Sequence, residues 1–155
     1  MADRNGEGPV LFAYDGSEQA KDAIRVAARE LRDGRGAIVL TVWEPLAALS
    51  FAGPAIAGSD IEQSFEAEAR QVGDEGAALA ASLGFQATAL TESGNPIWRT
   101  IVDAAEQHDA SILVMGSHGR TGVSLVLMGS VAAAVSRHTE RPVLIVHAPS
   151  GNGAG

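Results

Sequence analysis

The sequence predicts an α/β fold: an open, doubly wound parallel sheet of five strands in the order 3-2-1-4-5, with helices on both faces. Short apolar runs alternate along the chain with segments whose apolar residues recur at helical spacing. The apolar runs are continuous rather than alternating, which is typical of parallel strands buried on both faces. No internal repeat or linker is visible, so we expect a single domain over 9–147 with flexible tails at 1–8 and 148–155.

The first half of the chain is predicted to supply two strands and two helices. A first strand is expected at 10–14, and the turn residues 15–17 then start a helix with apolar positions at every third or fourth residue. A second strand is expected at 37–43. Prolines and glycines interrupt 44–59, which predicts a long loop. A long amphipathic helix is expected over 61–83.

The second half is predicted to complete the sheet. A third strand is expected at 85–90. Asn95-Pro96 then supplies a helix cap and a first-turn proline for the next helix. A fourth strand at 111–115, a last helix at 130–138 and a fifth strand at 142–147 follow.

Composition and charge exclude several classes of function. The 155 residues carry a net charge of −8 and contain one lysine, Lys21, so there is no basic face for general nucleic-acid binding. Because the chain has no cysteine, disulfides, thiolate catalysis and cysteine-ligated metals are excluded. No apolar segment approaches the roughly 18 residues that span a bilayer, and residues 1–8 lack an apolar signal core. We therefore expect a cytoplasmic protein with no membrane partner.

Glycines punctuate the segment between the fourth strand and the last helix. Gly116 and Gly119 follow the strand, and Gly129-Ser130 open the helix after nine intervening residues. Glycines let the main chain approach a ligand closely, and a helix N-terminus presents unpaired N–H groups with partial positive charge. The pattern therefore indicates a backbone cradle for an anion such as phosphate.

The predicted strand order places this cradle opposite a carboxylate. Ligands of doubly wound sheets bind beyond the carboxyl ends of the strands, where the strand order reverses. That point lies between the first and fourth strands, which lead into Asp15 and into Gly116–Gly119. Neither a P-loop motif nor a dinucleotide-binding G-x-G-x-x-G after the first strand occurs, so those two kinds of site are excluded.

The chain resembles the universal stress protein family over essentially 9–147. The segments that carry the resemblance are Tyr14–Ser17, Val114–Arg120, Met128–Val131 and Arg141–Val146. The complete G-x2-G-x9-G-[ST] pattern is the signature of the family's ATP-binding branch. The resemblance implies a Rossmann-like fold, an ATP site in which any Mg²⁺ is held largely by phosphate oxygens and water, and a homodimer formed through the C-terminal strand, 142–147.

The resemblance also implies roles for single residues. Asp15 would hydrogen-bond the nucleoside, and Val42, at the end of the second strand, would offer backbone groups to adenine. The glycines and Ser130 would hold ribose and phosphates. Arg120, the cation nearest to the cradle in the sequence, would screen phosphate charge. The full set of expected nucleotide contacts is Ala13, Asp15, Val42, Met115, Gly116, Gly119, Arg120, Gly129, Ser130 and Val131.

The residues by themselves leave alternatives open. Asp15 and Ser17 could simply cap the first helix, His118 could donate to phosphate or lie in solvent, and Arg120 could be an exposed arginine. The favoured function is an ATP-binding regulatory or stress-response protein with at most slow ATP hydrolysis, because no lysine, paired carboxylates or general base accompany the cradle. The alternatives are a dimeric interaction module without nucleotide and an adenine-nucleotide α/β hydrolase.

Overall fold

The computed structural model describes residues 8–31, 33–45, 60–119 and 128–147. Strands and helices alternate through these residues. They are β1 (Val10–Ala13), α1 (Glu18–Glu30), β2 (Gly36–Trp43), α2 (Asp60–Ser82), β3 (Gln86–Ser93), α3 (Ile97–Gln107), β4 (Ile112–Gly116), α4 (Ser130–His138) and β5 (Val143–Val146).

The strands form one parallel sheet in the order β3-β2-β1-β4-β5, which confirms the predicted fold class and strand order. β1 is central, and its Val10 pairs with Ala37 of β2 on one side and with Ile112 of β4 on the other. The chain therefore builds the sheet outward in one direction through β2 and β3, and then in the other through β4 and β5. The reversal between β1 and β4 opens a crevice at the carboxyl ends of the strands.

Each face of the sheet is covered by two helices. Side chains of α1 and α2 pack with Phe12 and Val39 on one face, where the rings of Phe12 and Phe85 meet edge to face at 5.3 Å. Side chains of α3 and α4 pack with Leu11 and Leu113 on the other face. In the part of the chain that the structure describes, no helix is long and apolar enough to cross a bilayer.

Two details of the predicted elements are wrong. β3 continues to Ser93 rather than ending at residue 90, because its pairing with β2 runs on through Trp43↔Ser93 after the apolar residues end. The cap of α3 is Pro96 and makes no side-chain cap hydrogen bond, so Asn95 does not cap this helix. The sequence pattern could not show the longer β3, because pairing between backbone groups leaves no apolar pattern.

The loop and tail predictions fall mostly outside the described residues. Residues 46–59 of the predicted loop and the tails at 1–7 and 148–155 lie there. Gly8, placed by the sequence in the N-terminal tail, has its carbonyl oxygen in hydrogen bonds from Arg35 Nη2 at 3.2 Å and from Ser111 Oγ at 2.8 Å. These bonds hold residue 8 against the amino-terminal end of the sheet, opposite the crevice.

A glycine of α2 fixes the residue that precedes the crevice. A Cβ on Gly76 would lie 2.6 Å from Cδ1 of Tyr14 and 2.9 Å from Cγ1 of Val39, so the helix packs on the sheet only because this position has no side chain. By intrinsic propensity alone, a glycine inside a helix lowers its stability by about 1 kcal/mol relative to alanine. The contact of Gly76 with Tyr14, which is 4% exposed, instead anchors the end of β1 immediately before Asp15.

Candidate functional site

A cavity of about 430 Å³ lies at the carboxyl ends of β1, β2 and β4, bordered by the first turns of α3 and α4. It occupies the crevice at which the strand order reverses, where open α/β sheets bind ligands. The described residues that line it are Ala13, Tyr14, Asp15, Leu40, Val42, Ile97, Ile101, Met115, Gly116, Ser117, His118, Gly119, Gly129, Ser130, Val131 and Ala132.

Ser117 joins the two halves of the glycine pattern. Its backbone N–H donates to Val146 O at the end of β5 (2.9 Å), and its carbonyl oxygen accepts from Gly129 N (2.7 Å). The side chain is 2% exposed, and its hydroxyl donates to Gln19 Oε1 of α1 at 3.3 Å. Because one buried residue ties β5, α1 and the entry of α4 together, the segment after β4 and the start of α4 form a single wall.

The three glycines of the pattern lie in close contact with other parts of the protein. A Cβ on Gly129 would lie 2.8 Å from Ser117 O, and one on Gly119 would lie 2.5 Å from Oδ2 of Asp15. On Gly116 it would lie 3.1 Å from Cβ of Gln19. None of the three has the left-handed backbone that also selects glycine, so what glycine provides at these positions is space. The sequence predicts close approach to a ligand, whereas the structure adds close approach of the walls to one another.

Asp15 and Ser17 make different contacts at the start of α1. Ser17 caps α1, because its hydroxyl accepts from Ala20 N at 3.1 Å. Asp15 Oδ1 accepts from Ser17 N at 2.9 Å across Gly16, whose φ of 81° closes the turn. Since Asp15 Oδ2 lies against Gly119, the carboxylate bridges the ends of β1 and β4 at the mouth of the cavity.

Val42 presents its backbone to the cavity. Leu40 O accepts from Tyr14 N (2.9 Å), and Trp43 O accepts from Gly94 N (3.1 Å) on the opposite side of β2. Backbone groups alternate along a strand, so the N–H and C=O of Val42 point to the β1 side, as those of Leu40 do. Beside Val42, the segment that follows β1 has already turned away, at Gly16. A donor and an acceptor at hydrogen-bonding spacing thus face the crevice, although Val42 lies inside β2 rather than after it.

The first turn of α4 supplies the donors on the other side of the cavity. Gly129 is the N-cap, with extended backbone and no side-chain cap hydrogen bond. The first N–H groups of a helix have no partner within the helix and carry the positive end of its dipole. Together with the Ser130 hydroxyl, these groups can donate hydrogen bonds to an anion at the wall that Ser117 fixes.

The electrostatic character of the cavity is set by few charges. Among its described lining residues, Asp15 is the carboxylate, His118 is the histidine, and neither lysine nor arginine occurs. Burial raises the pKa of the Tyr14 phenol, which keeps this side chain neutral at physiological pH. Within the described ranges, no group of three or more His, Cys, Asp or Glu side chains could hold a metal ion.

The structure brings together every predicted contact that it describes, and Arg120 lies outside the described residues. Leu40, Ile97 and Ile101 also line the cavity and were missed. The spacing of the two isoleucines marks one helical face, which the sequence interprets only as packing. Trp43 lines an adjoining cavity that shares Asp15, Val42 and Ile97 with the first.

Known proteins share this architecture. Universal stress protein MJ0531 of Methanocaldococcus jannaschii is 31% identical over 153 residues, covering 94% of this chain and 87% of its own. Universal stress protein YxiE of Bacillus subtilis is 30% identical over 147 residues, covering 88% of this chain and 97% of its own. The solved structure of MJ0577 of M. jannaschii superposes with a TM-score of 0.75 at 24% identity, covering 94% of this chain and 99% of that one.

Two solved neighbours hold adenine nucleotides. The universal stress protein of Archaeoglobus fulgidus in complex with dAMP has a TM-score of 0.66 at 22% identity and covers 90% of this chain and 97% of its own. A universal stress protein in complex with cAMP has a TM-score of 0.61 at 25% identity and covers 92% and 98%. The model of the universal stress protein family matches residues 8–147. The chain therefore belongs to the universal stress protein family.

Proposed function

We propose that this protein binds an adenine nucleotide in the crevice cavity, with ATP and its Mg²⁺ as the physiological ligand, and acts as a regulatory stress-response protein. The observation that carries the proposal is that two backbone features lie on opposite sides of one cavity. The outward N–H and C=O of Val42 lie on one side, and the first turn of α4 lies on the other. A base and a phosphate chain need these two features at once.

The Val42 edge suits adenine. Adenine presents an amino donor beside a ring-nitrogen acceptor, which matches a backbone C=O and N–H of one residue. Guanine presents a carbonyl acceptor beside a ring N–H donor, which reverses the pattern. Apolar side chains of Leu40, Ile97 and Met115 surround this part of the cavity and favour a flat aromatic ring. Asp15, at the mouth, is placed to accept from a sugar hydroxyl.

The phosphates are assigned to Gly116, Gly119, Gly129, Ser130 and Val131. The N–H of Gly129 already donates to Ser117 O, so the neutral donors at this helix N-terminus are the N–H groups of Ser130 and Val131 and the Ser130 hydroxyl, while the glycines leave room for phosphate to approach. With no cationic side chain among the described lining residues, Mg²⁺ is assigned to phosphate oxygens and water. Arg120 remains a proposed contact from its place in the sequence.

Hydrolysis is proposed to be slow at most. Fast phosphoryl transfer uses a positioned base or water and cations that stabilise the transition state. In the described lining the carboxylate is Asp15, which already holds the turn before α1. The site thus favours retention of the nucleotide over turnover. The complexes of solved family members with dAMP and cAMP support binding of an adenine nucleotide in this fold.

Nucleotide release and titration test the proposal. Freshly purified protein is denatured and the supernatant is analysed for nucleotide. Stripped protein is then titrated with ATP, ADP, AMP and GTP in the presence of Mg²⁺. We expect saturable binding of ATP and at least about tenfold weaker binding of GTP, because the reversed hydrogen-bond pattern leaves the Val42 groups unpaired. Absence of released nucleotide together with absence of binding heat would reject the function.

We further propose a homodimer through β5 and its flanking residues, 142–147. β5 lies at a sheet edge. Pro142 O and Val146 O accept hydrogen bonds from Leu113 and Ser117 on the inner side, so the backbone groups of residues 143 and 145 point outward. A short apolar edge with outward donors and acceptors suits antiparallel pairing with a second copy across a two-fold axis.

One substitution pair tests this edge. Ile145→Pro removes an outward N–H, whereas Ile145→Ala loses the same side-chain packing and retains that N–H. By light scattering, we expect a dimer for the wild type and for Ile145→Ala, and a monomer for Ile145→Pro. A monomeric wild type would reject the dimer. The cytoplasmic location remains a proposal based on the composition of the sequence.

A further inference from the structure

Three side chains form a hydrogen-bonded chain behind the phosphate end of the cavity. Gln19 Oε1, from α1, accepts from the backbone N–H of His118 at 3.0 Å and lies 3.3 Å from Ser117 Oγ. Ser117 Oγ in turn lies 3.1 Å from Nδ1 of His118. The glycine pattern of the sequence contains Ser117 and His118 but gives no indication that Gln19 holds them.

The donors in this chain can be assigned from chemistry. A backbone N–H only donates, so the atom of Gln19 that faces it is the carbonyl oxygen rather than the amide nitrogen. That oxygen cannot donate, so the hydroxyl of Ser117 must donate to it. A hydroxyl has one hydrogen, and this one is then used. Both side-chain contacts of Ser117 Oγ are hydrogen bonds together only when Nδ1 of His118 carries a hydrogen and donates to that oxygen.

This assignment leaves Nε2 as the variable nitrogen of His118. Cδ2, to which Nε2 is bonded, lies 3.6 Å from the position of a Cβ on Gly129, at the entry of α4. His118 lines the same cavity as Gly129 and Ser130. With Nδ1 turned to Ser117, the other edge of the ring lies on the side where α4 presents its N–H groups.

We propose that Gln19 is a positioning residue that, through Ser117, holds His118 as the Nδ1–H tautomer, so that Nε2 gains a proton and donates to nucleotide phosphate as the pH falls. The inference rests on the proposed function and adds to it a pH-dependent affinity. At high pH, Nε2 has a lone pair and repels phosphate oxygen. At low pH, the imidazolium supplies a charge-assisted hydrogen bond where lysine and arginine are missing from the described lining.

Few other charges face this histidine in the described residues. Asp15 lies across Gly119 at the mouth of the cavity. On α1, Glu18 is paired with Lys21 at 3.2 Å. The first turn of α4 carries no acidic residue, and β5 is followed by His147. The bound phosphate is the charge that differs between the free and the bound states, so it is the group that couples proton uptake to ligand binding.

Affinity measured at two pH values tests the inference. ATP is titrated into the wild type and His118→Asn at about pH 8 and about pH 5.5, which bracket the usual titration of histidine. Asparagine retains an amide donor for Ser117 and lacks Nε2. Because phosphate itself titrates near pH 6, the variant provides the correction for the ligand. We expect the affinity ratio, wild type over variant, to rise about tenfold on acidification.

The tautomer is read separately from nitrogen NMR shifts in protein without nucleotide. We expect Nδ1–H in the wild type and in Gln19→Glu, which retains the acceptor oxygen. We expect loss of that preference in Gln19→Leu. An Nε2–H tautomer in the wild type, or an unchanged tautomer in Gln19→Leu, would overturn the positioning role.

The two proposals fail in different ways. ATP binding to the wild type with no change in the affinity ratio between the two pH values would overturn the role of His118 while leaving the proposed function intact. Absence of ATP binding at both pH values would overturn the proposed function and this inference with it.

Discussion

Gly119→Ala separates the binding role of Asp15 from its structural role. The new Cβ would lie 2.5 Å from Asp15 Oδ2, whereas nonbonded contacts need about 3.5 Å, so the carboxylate must move by about 1 Å. The clash is with the end of a side chain, and Gly119 has no left-handed backbone, so the fold can absorb the alanine. A carboxylate shifted this far loses a hydrogen bond of about 1.5–3 kcal/mol to a sugar hydroxyl.

The expected result is an ATP affinity about 10- to 100-fold lower with thermal stability nearly unchanged, since the smaller freedom of the unfolded chain with alanine offsets the strain placed on the hydrogen bond from Ser17 N to Asp15. Calorimetric titration and a thermal unfolding curve measure the two quantities. Gly36→Ala is the matched control, because its Cβ would meet Pro9 Cβ at 3.9 Å, an ordinary contact far from the cavity. Unchanged ATP affinity in Gly119→Ala would refute the placement of Asp15 at the nucleoside.

Three further predictions concern stability. Gly129→Ala forces a Cβ to 2.8 Å from a backbone oxygen, so it should cost about 1–3 kcal/mol in denaturant unfolding and also weaken ATP binding. Gly76→Ala should destabilise by about 1 kcal/mol by the same measurement, because the clash with Tyr14 outweighs the gain in helix propensity. A hydrogen bond from Arg141 lowers the pKa of Glu106, so their interaction stabilises the fold above the ordinary carboxyl pKa and is lost as the pH falls through the folded-state pKa. Between neutral and acid pH, the free energy of unfolding should therefore fall further in the wild type than in Glu106→Gln. The same pH profile in both proteins would contradict the assignment.

The sheet could be predicted because buried parallel strands leave continuous apolar runs, and helices leave a helical period. This reasoning fails at the end of β3. Thr91–Ser93 belong to the strand because their backbone pairs with β2, and they carry no apolar pattern. The cap of α3 was wrong for a related reason. Which residue occupies the N-cap depends on where the chain enters the helix, and Asn95-Pro96 allowed more than one entry.

At the site, the glycine spacing and Asp15 were recognisable, while their mutual contacts were not. Nothing in the sequence indicates that Gly119 lies against the carboxylate of Asp15, 104 positions earlier in the chain. The hydrogen bonds of Gln19 to residues 117 and 118 are equally hidden, because α1 reaches this wall only after the sheet is assembled. Leu40 and Ile101 were assigned to packing, and their second role as cavity lining depends on where the neighbouring helices end.

The sequence by itself determined the fold class, the strand order and the two segments that meet at the crevice. Local periodicity and glycine spacing are properties of the chain, and the topology of parallel sheets places their ends together. Only the assembled fold shows how the polar side chains around the cavity are held: the carboxylate of Asp15 by Ser17 and the imidazole of His118 by Ser117. Hydrogen-bond direction and side-chain orientation arise from residues brought together in space, so they have no signature in the order of the amino acids.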